Sequence, residues 1–342
     1  MDSKRPIGQN RSVNKDQIAR ESLFNEVKGS LFEFLVARNL ARVHQQEKSF
    51  LDGIDRNYLN VLIQQDRMVR QFYPELGRFL EAVAQSTSLE MSSYLKATPH
   101  HPLLIGKLVN SVKKQEWHEA DLIVEHEGKP LPVSLKLNKR GSYVNTKSAG
   151  IKSFFTQYFS YVNPSFQAKF NQQVELEFER MARDLHAKAS LKWKGDFSDW
   201  VQEGHSELPG EVGEENRKIL KSYYARLANS MHQILTQAQV IDPLKFEQSL
   251  NALLGFSSPD ILQVTAFHDF KNNSECEITL HELSELSPYR GKFEITPFGD
   301  IASVEIKAGN WSLQIRIKPM NKFTTTAIKI NCSVKIKRPN DG

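Results

Sequence analysis

Apolar residues along this chain follow two rhythms, and the change falls near Pro259. Before it they return every third or fourth position, the period of a helix with one buried side. That spacing predicts a helix over 16–46, with Phe24, Val27, Leu31, Leu35 and Val36 buried. A second helix runs from Asp55 through Gln65 towards Tyr73. Pro74 opens a new turn, and helix resumes from Glu75 to Ala84. Phe50, Leu51, Tyr58, Leu62, Phe72, Tyr73, Phe79, Leu80 and Leu89 are expected in the core on size and hydrophobicity. Thr98-Pro-His-His-Pro102 interrupts the pattern, and helix is expected again over 103–114. Ser148 is placed to cap a helix through Phe154, Phe155, Tyr158 and Phe159, longer helices follow over 166–188 and 216–239, and a short one lies near 244–254. Beyond Pro259 the apolar residues alternate. Trp311, Leu313, Ile315 and Ile317 alternate with Ser312, Gln314, Arg316 and Lys318, and 328–337 repeats the pattern with Asn and Lys. Such strands have one apolar face and one basic, polar face, and they predict an antiparallel β-rich module.

One stretch inside the helical part reads differently. Asp121-Leu-Ile-Val is a short apolar run, Gly128-Lys129 is a turn, and Leu131–Leu137 is a second apolar run. Two such runs around a glycine turn predict a β-hairpin. Alternation within 132–137 puts Ser134 and Lys136 on one face and Val133, Leu135 and Leu137 on the other. The hairpin brings Asp121 to the side of Ser134 and Lys136.

Charge sharpens the picture at this point. No Asp or Glu occurs from Gly128 through Val174, while Lys129, Lys136, Lys139, Arg140, Lys147, Lys152 and Lys169 all fall there. An acid-free, cationic stretch following an isolated acidic patch makes a positive field suited to phosphates. The polar segment 138–147 offers Lys139, Arg140, Ser142, Tyr143, Asn145 and Lys147, the donors that phosphate contacts use. Arg316, Lys318 and Lys322 offer the same chemistry on the β-rich module.

Composition bounds the remaining choices. A length of 342 residues predicts two domains, or one with a large extension. Apolar residues make up 39% and charged residues 25%, as in a soluble globular protein. The net charge of +5 permits a nucleic-acid partner. Cys276 and Cys332 are the only cysteines, which excludes a disulfide framework and a cysteine zinc site. No apolar run approaches a membrane span, and the polar, basic start lacks a signal core, so a cytoplasmic protein is expected. The adjacent His100 and His101 point apart in any regular element and have no cysteine companion, which argues against a metal there.

Asp121 at a strand start and Lys136 on the next strand resemble the signature of the PD-(D/E)XK nuclease superfamily, the restriction-endonuclease-like fold. Ser134 stands where that family has Glu or Asp; some of its restriction enzymes carry Ser there and take the acid from elsewhere in the fold. Gly29-Ser-Leu-Phe-Glu33, followed by apolar residues, is similar to the family's first core helix, whose Glu points at the metal site. Gln157 and Tyr161 are similar to the Gln-x-x-x-Tyr helix of RecB-type nucleases.

The resemblance implies an α+β or α/β fold, with a mixed-sheet core flanked by helices. The expected layout is a flexible 1–15, a nuclease core over 16–165, a helical segment over 166–258, and the β-rich module over 259–342, a possible DNA reader. It implies a Mg²⁺-dependent endonuclease on double-stranded DNA, a type II restriction enzyme acting as a homodimer. Asp121, Glu33 and Glu119 are the implied metal ligands, Lys136 the group that orients water or meets the developing phosphorane charge, and Gln157 a phosphate-positioning residue. Alternatives are a repair or phage-defence nuclease of the same fold, an inactive DNA-binding protein on that fold, and a structural protein with no nucleic acid.

Overall fold

The computed structural model describes residues 27–95, 103–104, 120–139, 142–256, 260–268, 276–282, 293–298, 302–309 and 311–336. The chain forms two compact units, each built from two separate segments. Unit 1 takes residues 1–140 and 258–285; unit 2 takes 141–257 and 286–342.

Unit 1 opens with α1, helical over 27–43. Leu31, Phe32, Phe34, Leu35, Val36, Ala37 and Leu40 are all buried there. After α2 (Glu47–Asp52), α3 (Arg56–Phe72) starts where the Asp55 carboxylate accepts the N–H groups of Asn57 and Tyr58 at 3.1 and 3.0 Å. Those are donors that a helix start otherwise leaves unpaired. α4 (Pro74–Leu95) begins on a proline, whose missing N–H costs nothing at that position.

These helices share one core with a sheet of β1 (Leu103–Leu104), β2 (Leu122–His126), β3 (Lys129–Lys139), β5 (Leu262–His268) and β6 (Cys276–His281), in the order β1-β2-β3-β5-β6. All neighbours are antiparallel except β3 and β5, which run parallel. Leu122, Val124, Val133, Leu135, Leu262, Val264 and Ala266 belong to the core shared with the helices. Alternation sends Ile123, Ser134, Lys136, Gln263 and Thr265 to the opposite face. The β2–β3 turn is Glu127-Gly128, with φ of 51° and 76°, flanked by the His126–Lys129 pair. Two left-handed residues give a turn whose twist suits a two-residue hairpin.

Unit 2 carries β4 (Val144–Gly150), then α5 (Phe154–Tyr158), α6 (Ser165–Lys188), α7 (Ser198–Gln202), α8 (Glu214–Ile241) and α9 (Pro243–Leu254). Its sheet adds β7 (Glu294–Phe298), β8 (Ser303–Ala308), β9 (Trp311–Pro319) and β10 (Ile328–Ile336), in the antiparallel order β4-β10-β9-β8-β7. Val304, Ile306, Leu313, Ile315, Ile317, Ile330 and Cys332 line its buried apolar face. α6 packs on α8, and an Arg226–Glu177 ion pair joins the two.

Several sequence-based expectations need correction. The boundaries drawn at 165 and 258 do not follow the units, because β5 and β6 complete the first sheet. Residues 138–139 and 144–147, expected in a loop, are strand: β3 runs to Lys139 and β4 starts at Val144. Ser148 lies on β4, and α5 begins at Phe154, with Ser153 at the cap position, five residues beyond the expected cap. Residues 103–104 are strand, not helix. Phe72, Tyr73 and Leu89 are exposed. Among the described residues no helix is long and apolar enough to cross a membrane.

Candidate active site

The hairpin sets the geometry. The Asp121 backbone N–H donates to the Val133 carbonyl at 2.8 Å, which places residue 121 at the head of β2 beside β3. From there its carboxylate reaches across the strand. Oδ2 accepts the Leu135 backbone N–H at 2.7 Å and the Ser134 hydroxyl at 3.3 Å. The Lys136 ammonium stands 3.6 Å from the same oxygen. Asp121, Ser134 and Lys136, read from the sequence as neighbours, are thus brought together. Oδ1 has no hydrogen-bond donor among the described residues.

Neither charge is at the open surface. The side chains of Asp121 and Lys136 are 21% and 30% exposed, so their attraction is screened less than that of a surface pair. Ser134 is buried. A half-buried Asp–Lys pair of this kind also occurs as a plain structural ion pair. What distinguishes it here is the strand that runs beside β3.

β5 contributes two polar residues that the sequence reading did not single out. Gln263 faces Ser134 and Thr265 faces Lys136 in the parallel register. Both are buried, and the Thr265 hydroxyl has no partner among the described residues. A buried polar group costs about 1–3 kcal/mol when neither protein nor water meets it. Gln263 and Thr265 alternate with Leu262, Val264 and Ala266, which is the signal a sequence reader has; their partner strand lies far away in the chain.

The other expected residues are placed as follows. Glu33 is half-buried on α1, in the same unit, and is not among the groups bonded to Asp121. Glu119 and Arg140 lie outside the described residues. Gln157 sits exposed on α5 in unit 2, donating to the Tyr158 hydroxyl at 3.3 Å, and the Tyr161 hydroxyl donates to the Ala238 carbonyl at 2.9 Å. Lys139 ends β3, exposed. Ser142 and Tyr143 are half-buried, and the Tyr143 hydroxyl donates to Glu305 Oε1 at 3.0 Å; burial holds that phenol above its usual pKa. Asn145 accepts from the Ser333 hydroxyl at 2.8 Å. Lys147 lies beside Cys332, and burial lowers its pKa. Arg316 and Lys318 are exposed, whereas Lys322 is held by Glu207.

The donor set can be weighed against the implied Mg²⁺. Among the described residues no three His, Cys, Asp or Glu side chains cluster. Magnesium needs fewer: it binds through one or two carboxylates, retained waters and substrate phosphates. Asp121, with Oδ1 lacking a donor among the described residues and the neutral Ser134 hydroxyl beside Oδ2, fits that minimum.

Comparison of the chain with known family models, curated proteins and solved structures finds no match.

Proposed function

We propose that this chain is a Mg²⁺-dependent endonuclease of the PD-(D/E)XK kind that hydrolyses phosphodiester bonds in double-stranded DNA, acting site-specifically as a type II restriction enzyme. The observation that carries the reading is the meeting of Asp121, Ser134 and Lys136 at one hairpin of a mixed sheet. Mg²⁺, held by Asp121 with Glu33 or Glu119 as second acid, supplies Lewis-acid activation when bound. The protein's own part is positional. The Leu135 N–H and Ser134 hydroxyl fix the Asp121 carboxylate, which leaves one oxygen for the metal. The Lys136 ammonium orients the attacking water or meets the charge that develops on phosphorus-bound oxygen. Hydrolysis leaves 5′-phosphate and 3′-hydroxyl ends. Cutting both strands at a palindrome takes two such sites, hence a homodimer.

The test is incubation with phage and plasmid DNA in Mg²⁺, with EDTA and Lys136→Ala as controls. Discrete bands that vanish in both controls support the reading. A smear that vanishes in both keeps the nuclease and removes the site specificity. Uncut DNA in Mg²⁺ and Mn²⁺ sinks the enzyme.

One observation favours a second reading, a DNA-binding protein on a degenerate nuclease fold: Ser134 stands at the acid position. That reading expects no Mg²⁺-dependent rise in melting temperature that Asp121→Ala abolishes.

A further inference from the structure

We infer that one end of the polar face of the unit 2 sheet, built from Arg316, Lys318 and Lys329, docks the sugar–phosphate backbone of double-stranded DNA. The inference takes from the nuclease reading only the identity of the polymer.

The sheet register creates the cluster. Lys318 on β9 is paired directly with Lys329 on β10, and Arg316, two residues along, faces Asn331 on the same side. Next on β4 comes Ser148, whose hydroxyl donates to Asn331 Oδ1 at 3.0 Å. Like charges placed directly across a strand pair are destabilising. The cost is visible at Lys318, whose pKa is lowered first by burial and then by Lys329 and Arg316.

Two cations near the cluster are neutralised, whereas Lys335, opposite Ser312, stands apart from it. Lys307 is paired with Glu305 at 3.5 Å, and Lys322 with Glu207. Arg316, Lys318 and Lys329 have no carboxylate partner among the described residues. A second observation lies on the neighbouring strand. Ser303, the register partner of Arg316 on β8, is 1% exposed, and its hydroxyl has no partner among the described residues.

The chemistry selects the occupant. Two strand residues span about 7 Å and adjacent strands lie about 5 Å apart, so three cations cover a footprint of roughly that size. Guanidinium, two ammonium groups, an amide and a hydroxyl are the donors that contact phosphate oxygens. Proteins that hold single strands stack bases on aromatic side chains, and no ring stands among Arg316, Lys318, Lys329, Asn331 and Ser148, which favours the backbone of a duplex.

The experiment measures duplex binding by fluorescence anisotropy in EDTA, where no cutting occurs, over a range of salt. The protein is the full chain with Arg316, Lys318 and Lys329 all changed to Gln. The expected result is a fall of about 2–3 in the slope of log affinity against log salt, equal on unrelated sequences. Lys307→Gln, at a neutralised position, should leave the slope alone. Thermal melting checks folding; relief of the Lys318–Lys329 repulsion predicts a melting temperature no lower than that of the parent. An unchanged slope in a folded triple variant overturns the inference, as does tighter binding of single-stranded DNA or RNA than of duplex by the parent. Failure of the nuclease reading looks different: duplex binding with the normal salt slope, and no cleavage in Mg²⁺.

Discussion

Ser134 is the residue on which the chemistry turns. Its hydroxyl lies 3.3 Å from Asp121 Oδ2, where an acid would stand beside another acid. Two carboxylates that close cannot both ionise without a cation between them. Ser134→Asp should therefore destabilise the metal-free protein by about 1–3 kcal/mol, and Mg²⁺ should restore most of that loss. Melting curves with and without Mg²⁺ decide the matter, since an equal loss in both would mean that no cation enters between the two positions. A different carboxylate gives a pH prediction. Arg42, and then Arg38, hold the Glu47 carboxyl down at about 2, from an ordinary value of 4.5. A folded value below the unfolded one means that this stabilisation is complete above about pH 4.5 and is lost as pH falls towards 2. The group is partly exposed, so solvent screening limits it to under about 1 kcal/mol. Glu47→Gln should thus lower stability slightly at pH 7, and the difference from the parent should shrink below pH 4.5 in urea titrations.

Elements built from local pattern were legible in the sequence; those built from distant pairing were not. Asp55, Pro74 and Pro243 mark helix starts that periodicity alone leaves loose. The hairpin announced itself through Gly128, and the face of Ser134 and Lys136 followed from simple alternation. β5 did not, because a parallel partner must arrive through a long crossover that leaves no local trace. The buried Gln263 and Thr265 beside Ser134 and Lys136 went unread for that reason. β4 was hidden differently: Asn-Thr-Lys-Ser-Ala-Gly reads as loop, and it is strand only because β10 supplies the ladder. Phe72 and Tyr73 misled by composition, since they end α3 on its outer side. The turn between β2 and β3 tests whether the hairpin is held by its own geometry. Gly128→Ala, at φ of 76°, should cost about 1–2 kcal/mol, and Glu127→Asn should recover up to about 1 kcal/mol of strain. If urea unfolding gives the same midpoint for Gly128→Ala and the parent, the turn is not left-handed in solution.

At the scale of the whole molecule, the chain leaves unit 1 after β3 and returns to it at β5. The sheet that carries Asp121 and Lys136 is therefore finished only after α5 through α9 of unit 2 have been made. The core of unit 1 is nonetheless its own: its buried cluster runs through α1, α3, α4, β2, β3 and β5. Local damage should accordingly stay local. Leu122 and Leu313 are both fully buried, one under the candidate site and the other in the unit 2 sheet. Each change to Ala should cost about 2–5 kcal/mol through lost burial and the cavity left behind. The consequences should differ in place. Leu122→Ala loosens the strand that positions Asp121, so it should also reduce the Mg²⁺-dependent rise in melting temperature. Leu313→Ala should leave that rise intact while speeding amide exchange in β8, β9 and β10. Hydrogen exchange read by mass spectrometry separates the two segments. Equal acceleration in β2 and β9 for both variants would show one cooperative body, and the site could then no longer be treated as the property of unit 1 alone.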